Sequence, residues 1–435
     1  MERKRIKASG EQNKPSIDIL SDLPDDVICH ILSFLPTKFS VATSILAKRW
    51  RLLWTHVPNI DIANGDFTDK NHAPEIITRV LLRNKAQRIN TCRLNYDDSC
   101  SEHETETWIS TVISRNVQYF DINLNYRCLR LPQCLFTCKT VVNLTIHNCA
   151  GIPSSGDIYL PSLKKLGLYY VKYGTDEAIL HLLSGCPMLE ELIIDEIADQ
   201  DLGCFNISSP TIKSLEVNFP CESFEFDNPD YRVKINAPAL RYLKVYDCSY
   251  EQMSLSPLTS LIEAEIHFKY YSLEVDYSIY TRCVFKFLDS LCNVKCLKLS
   301  SSDEFIDFSK PDPYVRFQNL TELEVSADWR LLVKFLECAD NDPKNPMETM
   351  EKWRACLLYS LTTVIIDGFV CTEQEFNIVR FILRNARVLK RMEIHRIGSK
   401  EKFDVVEKIL LFNRGSKECE IAFCYDCRRH ARFRQ

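Results

Sequence analysis

Apolar positions recur along most of this chain in one short pattern, apolar-x-x-apolar-x-apolar. The copies are Val141/Leu144/Ile146, Leu163/Leu166/Leu168, Leu189/Leu192/Ile194, Ile212/Leu215/Val217 and Leu240/Leu243/Val245, then Leu261/Ala264/Ile266, Val294/Leu297/Leu299, Leu320/Leu323/Val325, Leu361/Val364/Ile366 and Leu389/Met392/Ile394. Weaker copies start at Ile89 and Val117. Twelve starts over residues 89–389 are spaced by about 27 residues, inside the roughly 20–29 of leucine-rich repeats. The alternation that ends each copy predicts a short strand with one buried face. Helical stripes are expected between copies. Ile179, Leu182 and Leu183 form one, with Gly185 placed to cap it and Pro187 to stop it. Val284, Phe287, Leu288 and Leu291 form a second, and Leu332, Phe335, Leu336 and Ala339 a third. A strand and a helix at a fixed period make a solenoid unit, which buries its apolar face only by stacking on its neighbours.

The pattern differs at both ends. Pro24 suits a helix start, Asp25 and Asp26 favour its positive end, and Ile28, Ile31, Leu32 and Leu35 read as one apolar stripe broken by Pro36. A second short helix is expected to carry Val41, Ile45 and Leu46, and a third Trp50, Leu53 and Trp54. Three helices in about 40 residues hold little core, so part of this surface must bury against the rest of the chain or against a partner. Near the other end, Asp340 to Pro346 is polar and proline-broken. Thr372-x-x-Glu375 is a capping box, and Phe376, Val379, Leu383 and Ala386 continue a helix from it. A strand at Leu389–Ile394, a helix near Phe403–Phe412 and a last strand near Ile421–Phe423 follow.

Composition narrows the chemistry. Only 11 of 435 residues are glycine, and phosphate-cradling loops need glycine. Gly151 to Gly156 lacks the following Lys-Ser/Thr of such a loop, and no Gly-x-Ser-x-Gly occurs. His103-Glu104 lacks the second histidine of a metalloprotease motif. Net charge is −5, and the basic ends leave a body near −12, which argues against nucleic acid as a partner. No apolar run reaches the 18 or more residues of a membrane span. No secretory signal is read at the start, so the 20 cysteines are expected to stay reduced, in the cytoplasm and/or nucleus. Cys424-x-x-Cys427-x-x-His430 offers three metal donors without a second pair at finger spacing, and reads as a cysteine-rich tail. No cofactor and no metal are expected.

Three regions carry a family resemblance. Leu23-Pro24-Asp25-Asp26-Val27-Ile28, Ile31 to Thr37, Val41 to Trp50 and Trp54 resemble a plant F-box, with Ala47 where serine is common. Leu182 to Leu192, Ala237 to Leu243 and Ser209 to Leu215 resemble the repeats of plant F-box/leucine-rich-repeat chains. Cys149 and Cys248 stand where the repeat takes Asn or Cys. Trp353, Cys356-Leu357, Ser360-Leu361, Gly368, Asn385-Ala386, Leu389-Lys390, Arg414-Gly415-Ser416 and Cys419 resemble the FBD domain that follows such repeats.

The resemblance implies an α/β chain in six parts. These are a basic lead (1–16), an F-box (17–62), an irregular leucine-rich-repeat solenoid (89–339), a linker (340–350), an α+β FBD cap (351–425) and a basic tail (426–435). It implies docking on a Skp-type adaptor and, through it, on the cullin and RING subunits of an SCF-type ubiquitin ligase. The repeats would hold an unidentified substrate protein. By position, Leu23, Pro24, Val27, Ile28, Ile31, Leu32, Leu35, Val41 and Trp50 would form or support the adaptor face. The chain would be a receptor subunit that does no bond chemistry. A small-ligand co-receptor on the same frame, or a scaffold no longer engaged with the ligase, are the alternatives.

Overall fold

A computed structural model describes residues 22–67, 72–96, 100–126, 131–149, 151–195, 202–218, 232–246, 252–268, 277–301, 317, 319–326, 359–395 and 402–424. The expected lead, the helix at Leu332–Ala339, the linker, the tail, Trp353, Cys356, Leu357 and Cys248 lie outside these residues.

The strands are β1 Asn59–Ile62, β2 Thr91–Asn95, β3 Tyr119–Tyr126, β4 Asn143–Cys149, β5 Lys165–Tyr169, β6 Glu191–Asp195, β7 Cys204–Ser208, β8 Ser214–Asn218 and β9 Arg232–Asn236. They continue as β10 Tyr242–Tyr246, β11 Gln252–Leu255, β12 Glu263–Phe268, β13 Cys296–Ser301, β14 Glu322–Ser326, β15 Thr363–Asp367, β16 Arg391–His395 and β17 Glu420–Cys424. Fourteen of them form one parallel sheet in the order β1-β2-β3-β4-β5-β6-β8-β10-β12-β13-β14-β15-β16-β17. Twelve of these fourteen are the twelve apolar copies. The sheet never reverses, which is the order stacked repeats produce.

Register explains why the pattern is legible. Leu144, Leu166, Leu192, Leu215, Leu243, Ala264 and Leu297 stand side by side on successive strands. Ile146, Leu168, Ile194, Val217, Val245 and Ile266 form the next buried row. Each is essentially inaccessible. A one-residue slip of any strand would turn both rows to water, so burial fixes the register.

Helices cover the buried face at the two ends: α3 Ala73–Arg83, α4 Glu102–Ile113, α5 Gln133–Phe136, α6 Ala178–Ser184 and α7 Tyr277–Asp289, then α8 Glu373–Asn385 and α9 Lys402–Leu410. The expectation of helical stretches between copies fails along part of the middle. There β7, β9 and β11 form a second, three-stranded parallel sheet in the order β11-β9-β7. Their sequences explain it. Phe205 and Ile207, and Val233 and Ile235, alternate with polar residues and are buried, a period of two that no helix satisfies. The capping box at α8 is present as read. Thr372 Oγ1 accepts from Glu375 N–H (3.3 Å), and the Glu375 carboxylate accepts from Thr372 N–H (2.7 Å) and Val370 N–H (3.1 Å).

Gly185 caps α6 for a different reason than a left-handed turn. Its φ is −83°, which any residue can adopt. A Cβ there would lie 2.5 Å from both the Ile158 carbonyl oxygen and Ile158 Cγ2. Glycine is required by close approach. Gly185→Ala is therefore expected to lower stability by about 1–3 kcal/mol from overpacking, less the roughly 0.4–1 kcal/mol returned by a stiffer unfolded chain. A thermal melt of the two proteins checks this, and an unchanged or raised midpoint would contradict the packing.

Candidate adaptor face and open sheet

The first site is built by α1 Asp25–Leu32, α2 Thr37–Ala42 and two 3-10 turns, Thr43–Ile45 and Arg49–His56. Asp25 and Asp26 open α1 at its positive end. Arg49 ties the unit together: its Nε is 2.8 Å from Asp25 Oδ1, and its Nη2 donates to the Leu23 carbonyl at 2.5 Å. Ser40 Oγ donates to the Leu32 carbonyl at 3.0 Å.

The single stripe read on α1 is in fact two. Ile28 and Leu32 (0% and 1% exposed) point inward with Trp50, Leu53 and Val57 to form a small core. Val27, Ile31 and Leu35 point to solvent, Ile31 at 41%. Pro24 is exposed, while Leu23 and Val41 are half-buried. Of the nine residues read as adaptor-facing, Ile28, Leu32 and Trp50 therefore support the face from within. The sequence reading passed over Phe34 and Phe39 as surface residues, and placed Ile45 and Leu46 only within a helix; all four are exposed, Phe34 at 74% and Ile45 at 86%. A signal for Phe34 was present: Val27, Ile31 and Phe34 are spaced i, i+4 and i+7, a second helical stripe beside the first. Single exposed apolar residues are ordinary, but this many in one 40-residue unit make a candidate interaction surface.

The unit sits on the N-terminal edge of the sheet. Asp61 N–H of β1 donates to Thr37 Oγ1 (2.8 Å), and Asn59 Nδ2 donates to the Ser33 carbonyl (3.0 Å). The buried Asn84 side chain donates to the Val57 carbonyl (2.9 Å). The helical unit thus covers an edge that would otherwise expose unpaired strand groups.

The second site is the sheet's other face. Parallel sheets are usually covered on both sides. Here alternate residues of nearly every strand remain partly exposed, in a burial pattern that repeats along the sheet. The middle row of this open face carries Asp61, Asp121, Glu216, Glu265, Glu324 and Glu393 against Arg93, Lys244 and Lys298. Six carboxylates outnumber three cations. Ion pairs cross the strands: Lys244 Nζ lies 3.7 Å from Glu216 and 3.2 Å from Glu265, and Lys298 Nζ 3.5 Å from Glu324. Rings punctuate the next row, where His147 stacks on Tyr169 (4.5 Å) and His267 on Tyr246 (4.3 Å).

Glu265 is the centre of this network. His267 Nε2 is 2.8 Å from Oε1, the Tyr242 hydroxyl donates to Oε2 at 3.2 Å, and Ser300 Oγ meets the other His267 ring nitrogen. Burial opposes its charge, but the hydrogen bond from His267 and the Lys244 ammonium outweigh that and hold the carboxyl at about 2. A depressed folded value means stability that is present above pH 4.5 and lost as pH falls toward 2. With solvent screening, the contribution is on the order of 1–2 kcal/mol. Glu265→Gln is expected to lower stability by that amount at neutral pH and to converge on the parent between pH 4 and about 2; a gap that persists at acid pH would refute this account.

Six of the described cysteines, Cys92, Cys138, Cys149, Cys186, Cys283 and Cys419, are buried. None of the described cysteines forms a disulfide. Burial pushes Cys149 and Cys186 up to about 12 and Cys92 higher still, which keeps them as thiols. No helix among the described residues is long and apolar enough to cross a membrane.

Comparison with known proteins matches three stretches of the chain. The F-box domain family matches residues 20–61, the leucine-rich repeats of FBD-associated F-box protein At5g56370 match 105–256, and the FBD family matches 355–394. An FBD-associated F-box protein of Arabidopsis thaliana, At5g56440, is 30% identical over 94% of this chain and 100% of its own length. The chain belongs to the F-box/FBD/LRR-repeat family. F-box/FBD/LRR-repeat protein At4g00160 of the same plant is 30% identical over 95% of this chain and 96% of its own. F-box/FBD/LRR-repeat protein At1g78750 is 28% identical over 96% and 98%. In this F-box/FBD/LRR-repeat protein the FBD match covers β15 and most of β16, so its strands extend the repeat sheet.

Proposed function

We propose that this chain is the substrate-recognition subunit of an SCF-type cullin-RING ubiquitin ligase. The F-box holds a Skp-type adaptor through Pro24, Val27, Ile31, Phe34, Leu35 and the neighbouring exposed Phe39, Ile45 and Leu46. The open sheet face holds the substrate. The observation that carries this reading is the pairing of an exposed apolar F-box face with a parallel sheet whose other face stays partly exposed among the described residues.

The chain's own chemistry is positioning. Holding a substrate lysine near the charged conjugating enzyme raises its effective concentration without any bond made or broken by this chain. The open face carries an excess of carboxylates, so its substrate segment is expected to be rich in Lys and Arg. The same excess disfavours a phosphate-rich small ligand. The test is reconstitution. The intact chain should co-purify with a Skp-type adaptor and, joined to cullin and RING subunits, support ubiquitin transfer that the chain alone does not. A folded chain that fails to bind the adaptor would overturn the proposal in favour of a scaffold.

A further inference from the structure

Glu393 and His395 break the rule of the open face. Elsewhere its residues are largely half-exposed, yet these two are 7% and 8% exposed. They stand two apart on β16, so both side chains leave the same side of the strand. Register sets Cys424 of β17 directly beside His395. The imidazole, thiol and carboxylate donor atoms of His395, Cys424 and Glu393 all lie within 4.8 Å of one another. His395 Nε2 is 2.9 Å from Glu393 Oε2. Arg391 Nε holds the other carboxylate oxygen at 2.6 Å, which fixes the carboxylate and leaves Oε2 on the side of His395.

We propose that Glu393, His395 and Cys424 form a zinc site that clips the last strand of the sheet to its neighbour. The donor set decides the metal. A thiolate, an imidazole and a carboxylate suit Zn²⁺, whereas calcium and magnesium take oxygen ligands. In a tetrahedral zinc site these donors stand about 3.3–3.6 Å apart, so the thiol must draw in and the 2.9 Å His395–Glu393 pair must open slightly, with a water as the fourth ligand. Thiolate and carboxylate together set two negative charges against the dication and the Arg391 guanidinium, and the thiol proton leaves to solvent on binding. The site has a structural use. Among the described residues β17 is the last strand of the sheet, and β16 is its one neighbour there. An edge strand is held on one side only, and a metal shared between the two strands ties it down. The sequence alone leads to an expectation of no metal: it sets Cys424 with Cys427 and His430 and does not show that strand register brings Glu393 and His395 beside the first of them. Cys427 and His430 lie outside the described residues, and the site stands without them.

The full-length chain is stripped with a chelator and titrated with Co²⁺ and then Zn²⁺. One Co²⁺ per chain is expected, with a thiolate-to-cobalt charge-transfer absorption that Zn²⁺ abolishes. Cys424→Ser should remove that absorption, and His395→Ala should weaken uptake by at least about tenfold. In the unaltered chain, Zn²⁺ should slow alkylation of Cys424, read by mass spectrometry; this needs no variant to fold. Cobalt absorption that survives Cys424→Ser but is lost in Cys427→Ser/His430→Ala would place the metal on the tail alone and overturn the proposal. So would Cys424 alkylation that is indifferent to Zn²⁺.

Discussion

Ile31→Asp combined with Ile45→Asp is expected to abolish capture by a Skp-type adaptor while leaving the chain folded. Both side chains are exposed, so neither supports the F-box interior. Each would place a charge where the proposed interface must be dry, and truncation of a central interface anchor alone typically costs about 2–4 kcal/mol. Together they should weaken binding by about a hundredfold or more. Leu32→Ala is the contrasting variant. Leu32 is 1% exposed, and losing it should cost about 2–5 kcal/mol of F-box stability, with binding reduced only through unfolding. Isothermal titration with the adaptor, beside circular dichroism of each variant, separates the two. Full-strength binding by folded Ile31→Asp/Ile45→Asp would move the interface off this face.

Trp108→Ala should be the most damaging single change in the repeat body. Trp108 on α4 is fully buried, its ring meets Tyr96 edge-on at 6.3 Å, and its Nε1 donates to Thr78 Oγ1 at 2.8 Å. Removing it opens a large cavity between α3 and α4 and takes one hydrogen bond from the Thr78 hydroxyl, which still donates to the Pro74 carbonyl at 2.8 Å, a cost of about 3–5 kcal/mol. A solenoid contacts mainly its neighbours, so the damage should be local. Hydrogen exchange is expected to accelerate across residues 72–126 while β13 to β16 keep their protection. A uniform loss of protection along the whole sheet would show that the repeats unfold as one unit instead.

Much of this architecture is legible in the sequence because each repeat writes its burial twice, at the start of the copy and in the alternation of its strand. Leu166 and Leu168 show the principle, since both must be apolar and two apart for the strand to lie flat on the core. Where the code is thinner, the reading fails. β1 contributes only Ile60 and Ile62, lies at the end of the F-box itself and has no apolar copy ahead of it, so it does not stand out. β7, β9 and β11 alternate clearly, but helices were expected in their place because that is what precedes other copies. On α1, two stripes one residue apart merge when periodicity is judged by eye; only the fold separates Ile28 from Ile31. Glu393, His395 and Cys424 come together through register between two strands, and no spacing along the chain announces that.

The hydrogen bonds from Asp61 and Asn59 to the F-box make the sheet a graduated arm fixed at one end. Neighbouring strands are about 4.8 Å apart, so a path along the sheet from β1 to β17 measures about 60 Å. A target seated near β3 and one seated near β15 would present their lysines at very different reach from the conjugating enzyme. Under the proposed function, docking position along the row of strands would then select which target lysine is reached.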